Sequence, residues 1–145
     1  MTPATVVVDA SVALKWLFGI ERGERDTPNA IALLHRVATG EVRMLQPAHF
    51  VAEVAAVLAR EAPARATRSV SHLLRIDMDV VADEATLLRA VELATAHDQH
   101  LFDALYHAVA LGHEDAVYVT ADERYWRAAH PSGRVVRLAD FATLH

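Results

Sequence analysis

Near its start the chain reads TVVVDAS at residues 5–11, a run of four β-branched residues that stops on an acid and leads into helix-forming residues. Unbroken β-branched residues without polar alternation are typical of a strand covered on both faces, as in the centre of a parallel α/β sheet. Ligands of such sheets bind beyond the carboxyl ends of the strands. The pattern therefore predicts a central strand with Asp9 at its functional end.

Asp9 also has a purely structural interpretation. Asp is a favoured helix N-cap, and the sequence predicts a helix from Val12 to Phe18. A capping carboxylate accepts a backbone N–H hydrogen bond and needs no further role. The functional interpretation requires other carboxylates at equivalent places in the chain.

Composition limits the classes of protein that the chain can represent. Its 145 residues suit one domain, residues 1–145, which buries roughly 70% of the surface of the unfolded chain. It contains no cysteine, which excludes a disulfide scaffold and a thiolate zinc site and agrees with a cytoplasmic location. We expect no membrane segment, because no apolar run approaches ~18 residues. The net charge of −5 means that a polyanionic substrate needs a local basic patch or metal ions.

Strands and helices alternate along the chain, which is typical of βαβ units and a parallel sheet. Residues 19–27 are charged and predict a loop. Further strands are predicted at residues 42–46, 77–81, 116–119 and 134–137. Helices are predicted at residues 28–39, 49–61, 84–96 and 101–112, after residue 122, and as a helix or turn at 139–144. In the helix at 84–96 we expect the core to receive Leu87, Leu88, Val91 and Leu93.

Two further acids stand on helices. Glu53 falls at the border of an apolar stripe at helical spacing, whose members are Phe50, Val54, Val57 and Leu58. The helix at 101–112 is apolar over most of its circumference, and its narrow polar strip has Asp103 and His107. An acid on a largely buried helix is costly to ionise unless a cation or hydrogen-bond donors compensate. Asp103 is therefore a stronger functional candidate than Glu53.

A fourth acid repeats the position of the first. The strand at 116–119 leads through Thr120 and Ala121 to Asp122, which begins a helix. If the four acids meet, they form a cluster that cannot fully ionise without a counter-ion. Oxygen ligands suit a hard cation, Mg²⁺ or Mn²⁺, and the chemistry that follows is metal-assisted phosphodiester hydrolysis by an activated water.

Histidines offer an alternative metal site, which we rank well below the acids. His97, His100 and His107 are close in sequence, but none has the carboxylate at the fixed helical spacing of an H-E-x-x-H zinc site. We interpret His107 as a packing or supporting residue.

One segment concentrates positive charge. A helix predicted at residues 64–75 places Arg65, Arg68, His72 and Arg75 on one face, opposite Val70, Leu73 and Leu74. This basic face predicts a contact with phosphates or with an acidic protein partner, and a merely solvated helix face is an equally good interpretation.

Four segments around the acids resemble a known family. They are VVDASVALKW (7–16), EVAAVL (53–58), FDALYHAVAL (102–111) and VTADERY (119–125). Together, and in this order over nearly the whole chain, they resemble a PIN domain, and most of all the VapC toxins of bacterial toxin–antitoxin pairs.

The resemblance implies a PIN-like three-layer α/β fold with a five-stranded parallel sheet flanked by helices. It also implies an endoribonuclease with an acidic Mg²⁺ or Mn²⁺ site, homodimerisation, and inhibition by a cognate VapB-type antitoxin. The implied metal-binding and catalytic residues are Asp9, Glu53, Asp103 and Asp122, with Ser11 and Thr120 in support. Ala56 departs from the pattern, because many relatives have Asn there.

Two rival enzymes fit the residues less well. A haloacid-dehalogenase-type phosphatase needs a second acid two residues after the first, where Ser11 stands. A receiver domain needs a paired acid early in the chain and a Lys at the end of the last strand, and both are missing. A catalytically silent PIN-like module that binds a metal or a partner stays open.

Overall fold

The computed structural model describes residues 5–144, so the outermost positions of the predicted 1–145 domain lie outside the described residues. Five parallel strands form one sheet in the order β3-β2-β1-β4-β5. The strands are β1 (Thr5–Val8), β2 (Arg43–Pro47), β3 (Asp79–Val81), β4 (Ala116–Thr120) and β5 (Val135–Arg137). The predicted α/β fold class is confirmed, with strand boundaries within two residues of the expected ones.

Seven helices accompany the sheet. They are α1 (Ala10–Phe18), α2 (Thr27–Ala38), α3 (Phe50–Glu61), α4 (Ala66–Leu73), α5 (Glu84–His97), α6 (Leu101–Leu111) and α7 (Glu123–Ala129). Short 3-10 segments occupy Gly19–Arg22 in the predicted loop and Leu138–Leu144 at the end. None of the described helices has the length and apolar character needed to cross a membrane.

β1 is the centre of the sheet, as its sequence predicts. Val6, Val7 and Val8 are fully buried, and β1 pairs along its whole length with β4. Its backbone pairing with β2 is shorter. At the carboxyl end, the buried Gln46 side chain forms hydrogen bonds with the β1 backbone in place of the strand pairing. There Val8 N–H donates to Gln46 Oε1 (2.8 Å) and Gln46 Nε2 donates to the Val8 carbonyl (2.9 Å). A buried amide thus satisfies the backbone groups where the two strands separate.

The strand order places a topological switch between β1 and β4. From β1 the chain builds outward through β2 to β3, and then returns to the other side of β1 for β4 and β5. Connections leave these two strands in opposite directions, which opens a crevice at their carboxyl ends. Asp9 follows β1 and Asp122 follows β4, so both acids stand at this crevice.

α6 packs on more than one side, as its apolar circumference predicts. It contacts α5 as well as the central strands, and its buried residues include Ala104, Tyr106 and Val109. α3 likewise buries Phe50, Val54 and Leu58 of its predicted stripe.

The prediction for the core side of α5 is wrong for three of its four residues. Leu87, Leu88 and Val91 are 48%, 55% and 47% exposed, and Leu93 alone of the predicted set is buried. The helix turns its small residues inward, where Ala90 packs in a cluster with Ala104 and Ala108 of α6. Small side chains on both helices allow close approach, and the larger apolar stripe is left outside.

The predicted helix at 64–75 is also shorter than expected. A 3-10 turn at Pro63–Arg65 precedes α4, which ends at Leu73, so Arg65 and Arg75 lie outside the helix. Leu74, which we expected on the apolar side opposite the basic face, is 63% exposed. It stands in the turn that follows the end of α4.

Candidate active site

Asp9 is both a helix cap and a buried acid. Its side chain accepts the Ser11 backbone N–H (3.3 Å) and the Ser11 hydroxyl on Oδ2, while the Tyr118 hydroxyl donates to Oδ1 (3.1 Å). The residue is 7% exposed. Burial raises the pKa of Asp9 to about 6, and the charges of Asp103 and Glu53 add to the rise, while the Ser11 hydroxyl opposes it. The two interpretations of Asp9 are therefore compatible.

Asp122 occupies the equivalent place after β4 and begins α7. Its Oδ1 accepts the Tyr125 backbone N–H (3.1 Å), and its own N–H donates to Thr120 Oγ1 (2.9 Å). The Ser11 hydroxyl also accepts the Ala121 N–H (3.4 Å). Ser11 therefore links the ends of β1 and β4, and Thr120 orients the turn that presents Asp122.

Glu53 is held from across the site by α6. The Tyr106 hydroxyl donates to Glu53 Oε1 (2.6 Å). Tyr106 also stacks on Tyr118, with ring centroids 5.6 Å apart and planes 8° from parallel. Two stacked tyrosines therefore each donate a hydroxyl to one acid, Tyr106 to Glu53 and Tyr118 to Asp9.

The sequence interpretation did not identify these two tyrosines. A buried tyrosine needs a partner for its hydroxyl. The sequence spacing of each tyrosine from residues of the site could therefore have predicted such a role. Tyr106 stands three residues after Asp103 on α6, and Tyr118 shares the face of β4 with Thr120 two residues on.

Asp103 is half-buried on α6 and connects the other acids. Burial raises its pKa, and the charges of Asp122 and Glu53 raise it further, while His100 and Arg124 act in the opposite direction. Asp9 responds to Asp103 and Glu53 as well. Asp103 is thus within electrostatic reach of the other three acids, although the four come from two strand ends and two helices.

Arg124 and His100 act on Asp103 only from a distance, and no described residue forms an ion pair with any of the four acids. Nor do three acidic or histidine side chains of the described region already stand close enough to enclose a metal ion. Mg²⁺ is usually held by one or two carboxylates and keeps several waters, so an open set of oxygen donors with unbalanced charge fits it.

The three histidines considered for zinc have separate surroundings. His97 Nε2 contacts Ser132 Oγ (2.7 Å), and His100 caps α6 by accepting the Phe102 N–H (3.1 Å). His107 is fully buried, with Nε2 donating to the Gly133 carbonyl (2.8 Å) and Nδ1 against the Tyr125 hydroxyl (2.9 Å). Burial lowers the pKa of His107. This confirms the packing role predicted for it.

The basic face lies at the opposite end of the sheet from the acids. α3 begins beyond the carboxyl end of β2 and runs back toward the amino-terminal edge, where α4 follows it. Arg65 there pairs with Glu21 (3.8 Å), and Arg75 and His72 line a cavity with Asp77, just before β3 begins. The structure does not bring Arg65, Arg68 and Arg75 to the acids.

Comparison with known proteins agrees with this architecture. The family model described as the PIN domain matches residues 6–131. The chain belongs to the PIN domain family. Comparison of this PIN domain with curated proteins gave no match.

Two solved structures share the fold of this PIN domain. A chain of the VapBC2 complex from Rickettsia felis, bound to a DNA fragment from its promoter, has a TM-score of 0.64 at 14% identity and covers 92% of this chain and 98% of its own. A chain of DNA-bound VapBC from Salmonella typhimurium has a TM-score of 0.65 at 16% identity, with coverage of 95% and 99%.

Proposed function

We propose that this PIN domain is a cytoplasmic, Mg²⁺- or Mn²⁺-dependent endoribonuclease that acts as the toxin of a VapBC-type toxin–antitoxin pair. The observation that carries the proposal is the electrostatic coupling of Asp103 to Asp9, Glu53 and Asp122, none of which has an ion pair among the described residues. Membership of the PIN family supports the nuclease, and the two VapBC structures of similar fold support the toxin role.

The chain's own groups prepare the site for a cation and a phosphate. The hydroxyls of Tyr106, Tyr118 and Ser11 fix carboxylate oxygens of Glu53 and Asp9, so these acids need little rearrangement when they bind. Glu53, Asp103 and Asp122 are partly exposed, whereas Asp9 is buried, and the charges of Asp122 and Glu53 both act on Asp103. A divalent cation held by these acids would activate water and offset charge on the phosphate.

Two protein partners belong to the proposal. A homodimer is supported by the outer face of α5, where Leu87, Leu88 and Val91 form an exposed apolar stripe. A VapB-type antitoxin is supported by the basic face, because Arg68, His72 and Arg75 are exposed and suit an acidic segment. The basic face lies away from the four acids, so antitoxin binding and cleavage can be tested separately.

Cleavage of single-stranded RNA by the purified protein tests the enzyme. We expect cleavage with Mg²⁺ or Mn²⁺ and none in excess EDTA. Because water is the nucleophile, the products should have linear phosphate ends, whereas attack by the RNA's own 2′-hydroxyl would leave 2′,3′-cyclic phosphates. Activity that persists in EDTA contradicts the proposal. Binding without any cleavage would instead favour the catalytically silent module.

A further inference from the structure

Three aromatic rings, which we call the aromatic shelf, lie together beside the acids: the exposed Phe102 and His100 and the part-buried His49. The Phe102 ring lies 5.1 Å from each histidine ring and is 29° from parallel with His49. Phe102 is 48% exposed although it is adjacent in sequence to Asp103. Behind the shelf, Tyr106 packs 4.8 Å from His49, so the shelf continues the aromatic stack that holds Glu53.

A cavity of about 260 Å³ adjoins the shelf. His49 forms one wall, and Pro47, Val81 and Leu105 contribute apolar surface. Asp83 and Glu84, at the start of α5, also line the cavity, and we call this acidic side its rim. The volume is several times that of a water molecule, which occupies ~30 Å³ in the liquid. The cavity can therefore receive a flat ring, and its rim disfavours an anionic group.

The ring nitrogens of His49 are poorly satisfied. Both are shielded from solvent, and neither makes a hydrogen bond of good geometry among the described residues, although the Phe102 backbone lies close enough to act on the ring. Unpaired buried polar atoms are uncommon in native proteins and cost free energy. The imidazole is kept in place between Phe102 and Tyr106, at the position where the shelf meets the cavity.

The occupant that fits these features is an unpaired nucleobase. A phosphate would face Asp83 and Glu84 as well as the four acids, whereas a base is uncharged and presents a π face to Phe102. Unpaired bases in RNA are commonly bound by stacking on aromatic side chains. The carboxylates at the rim can only accept hydrogen bonds, so they suit a base edge that presents N–H donors.

We propose that the aromatic shelf stacks an unpaired RNA base next to the phosphate addressed by the four acids, with the base edge directed toward the cavity rim. The inference rests on the proposed nuclease function and extends it to the choice of cleavage position. It predicts that single-stranded RNA is cleaved and that the same sequence in a duplex is protected.

A double-mutant cycle between the protein and the RNA tests the shelf. Replacing an aromatic side chain that stacks on a base with alanine weakens binding of the nucleic acid by roughly 5- to 150-fold. We expect Phe102→Ala to lower kcat/KM by this factor on the intact RNA. On an RNA with an abasic site at the flanking position, parent and variant should be nearly equal, because the stacked partner is already missing.

Two further variants keep the cycle interpretable. Phe102→Trp retains a stacking surface and should restore cleavage, whereas Phe102→Leu retains apolar volume and should not. Ile31→Ala is the matched control, because Ile31 is a partly exposed apolar residue on α2, outside the shelf. Equal effects of Phe102→Ala on intact and abasic RNA, or full activity in the Leu variant, would overturn the proposal.

A binding measurement separates the shelf from the nuclease. Free nucleosides added to metal-free protein should shift the NMR signals of the Phe102 and His49 rings, and ribose should not. In Phe102→Ala the His49 response should be lost. Cleavage without nucleoside shifts overturns the shelf and leaves the nuclease standing. Nucleoside shifts without cleavage support the shelf and overturn the nuclease.

Discussion

The charged residues at the amino-terminal edge of the sheet and the acids of the β1–β4 crevice differ in their partners. At the amino-terminal edge, arginines have carboxylate partners in the same chain, as in Arg43 with Asp79 (2.5 Å) and Arg22 with Glu61 (2.5 Å). At the carboxyl edge, Arg137 pairs with Glu123 and Asp140, but the crevice acids Asp9, Glu53, Asp103 and Asp122 form no ion pair among the described residues. The first arrangement is balanced internally. The second leaves net negative charge, which ordinary folding would avoid and which an external cation can offset.

The difference in burial strengthens this contrast. Asp79 and Arg43 are both well exposed, and surface pairs of this kind contribute little to stability. Asp9 is almost fully buried, and its pKa is raised to about 6. Burial of the Asp9 carboxylate without a cationic partner lowers the stability of the folded protein at the site where the chemistry is proposed.

The largest expected effect is on cleavage, when one acid of the carboxyl edge is neutralised. Asp103→Asn should lower kcat/KM by ~10²–10⁴-fold, the range for loss of a group that acts directly in the reaction. The matched control is Asp77→Asn, because Asp77 is an exposed aspartate at the amino-terminal edge. If kcat/KM for the same RNA fell equally in both variants, the crevice acids would have no special role in cleavage.

The next effect is on stability and depends on pH. In metal-free protein the folded-state pKa of Asp9 is about 6, above the value of an ordinary aspartate. Ionisation of Asp9 therefore destabilises the folded state progressively as pH rises from about 4 through about 6. Asp9→Asn cannot ionise, so at pH 8 its free energy of unfolding should exceed the parent's by up to about 3 kcal/mol, for roughly two pKa units.

Urea unfolding of parent and variant at pH 4 and pH 8 measures this difference. At pH 4 most of the gain should disappear, because the carboxyl is then protonated in the folded parent and about half protonated in the unfolded chain. A variant that is less stable than the parent at pH 8 would show that the cap and hydroxyl contacts of Asp9 outweigh its burial cost. Excess EDTA in all samples keeps bound cations out of the comparison.

Removal of the Tyr106 hydroxyl tests how much its hydrogen bond to Glu53 contributes to stability and to cleavage. Tyr106→Phe keeps the stacked ring and deletes the donor to Glu53 (2.6 Å). A hydrogen bond to a charged group contributes about 1.5–3 kcal/mol, so we expect unfolding free energy and cleavage both to fall. Tyr125→Phe is the control, because its hydroxyl contacts His107 (2.9 Å) instead of an acid. It should lower stability without a comparable loss of kcat/KM.

The smallest expected effect on RNA cleavage comes from the basic face. Replacing Arg65, Arg68 and Arg75 together with Gln should change kcat/KM less than about twofold, because these residues lie at the other end of the sheet. The slope of log K against log salt for RNA binding should also stay the same. A slope shallower by about 2 would mean instead that the face contacts phosphates, at ~0.7 per contact with a single strand.

Particular residues show how far the sequence could be interpreted. The acids after β1 and β4 were predicted because a buried strand and a following acid are both local patterns. The buried face of α5 was not predicted, because this helix has two apolar stripes. Which stripe is buried depends on Ala104 and Ala108 of α6, a helix that follows α5 in the chain. Tyr106 and Tyr118 escaped prediction for the same reason, since each hydroxyl finds its acid on a different element.

The sequence by itself determined the alternation of strands and helices, the central place of β1 and the four acids, because periodicity and strand-end position are properties of neighbouring residues. The tertiary structure alone decided which acids are held by hydroxyls, where the aromatic shelf and its cavity form, and at which end of the sheet the basic face lies. Those features depend on contacts between residues far apart in the chain. Such contacts are chosen by the packing of whole elements, and local sequence patterns do not specify them.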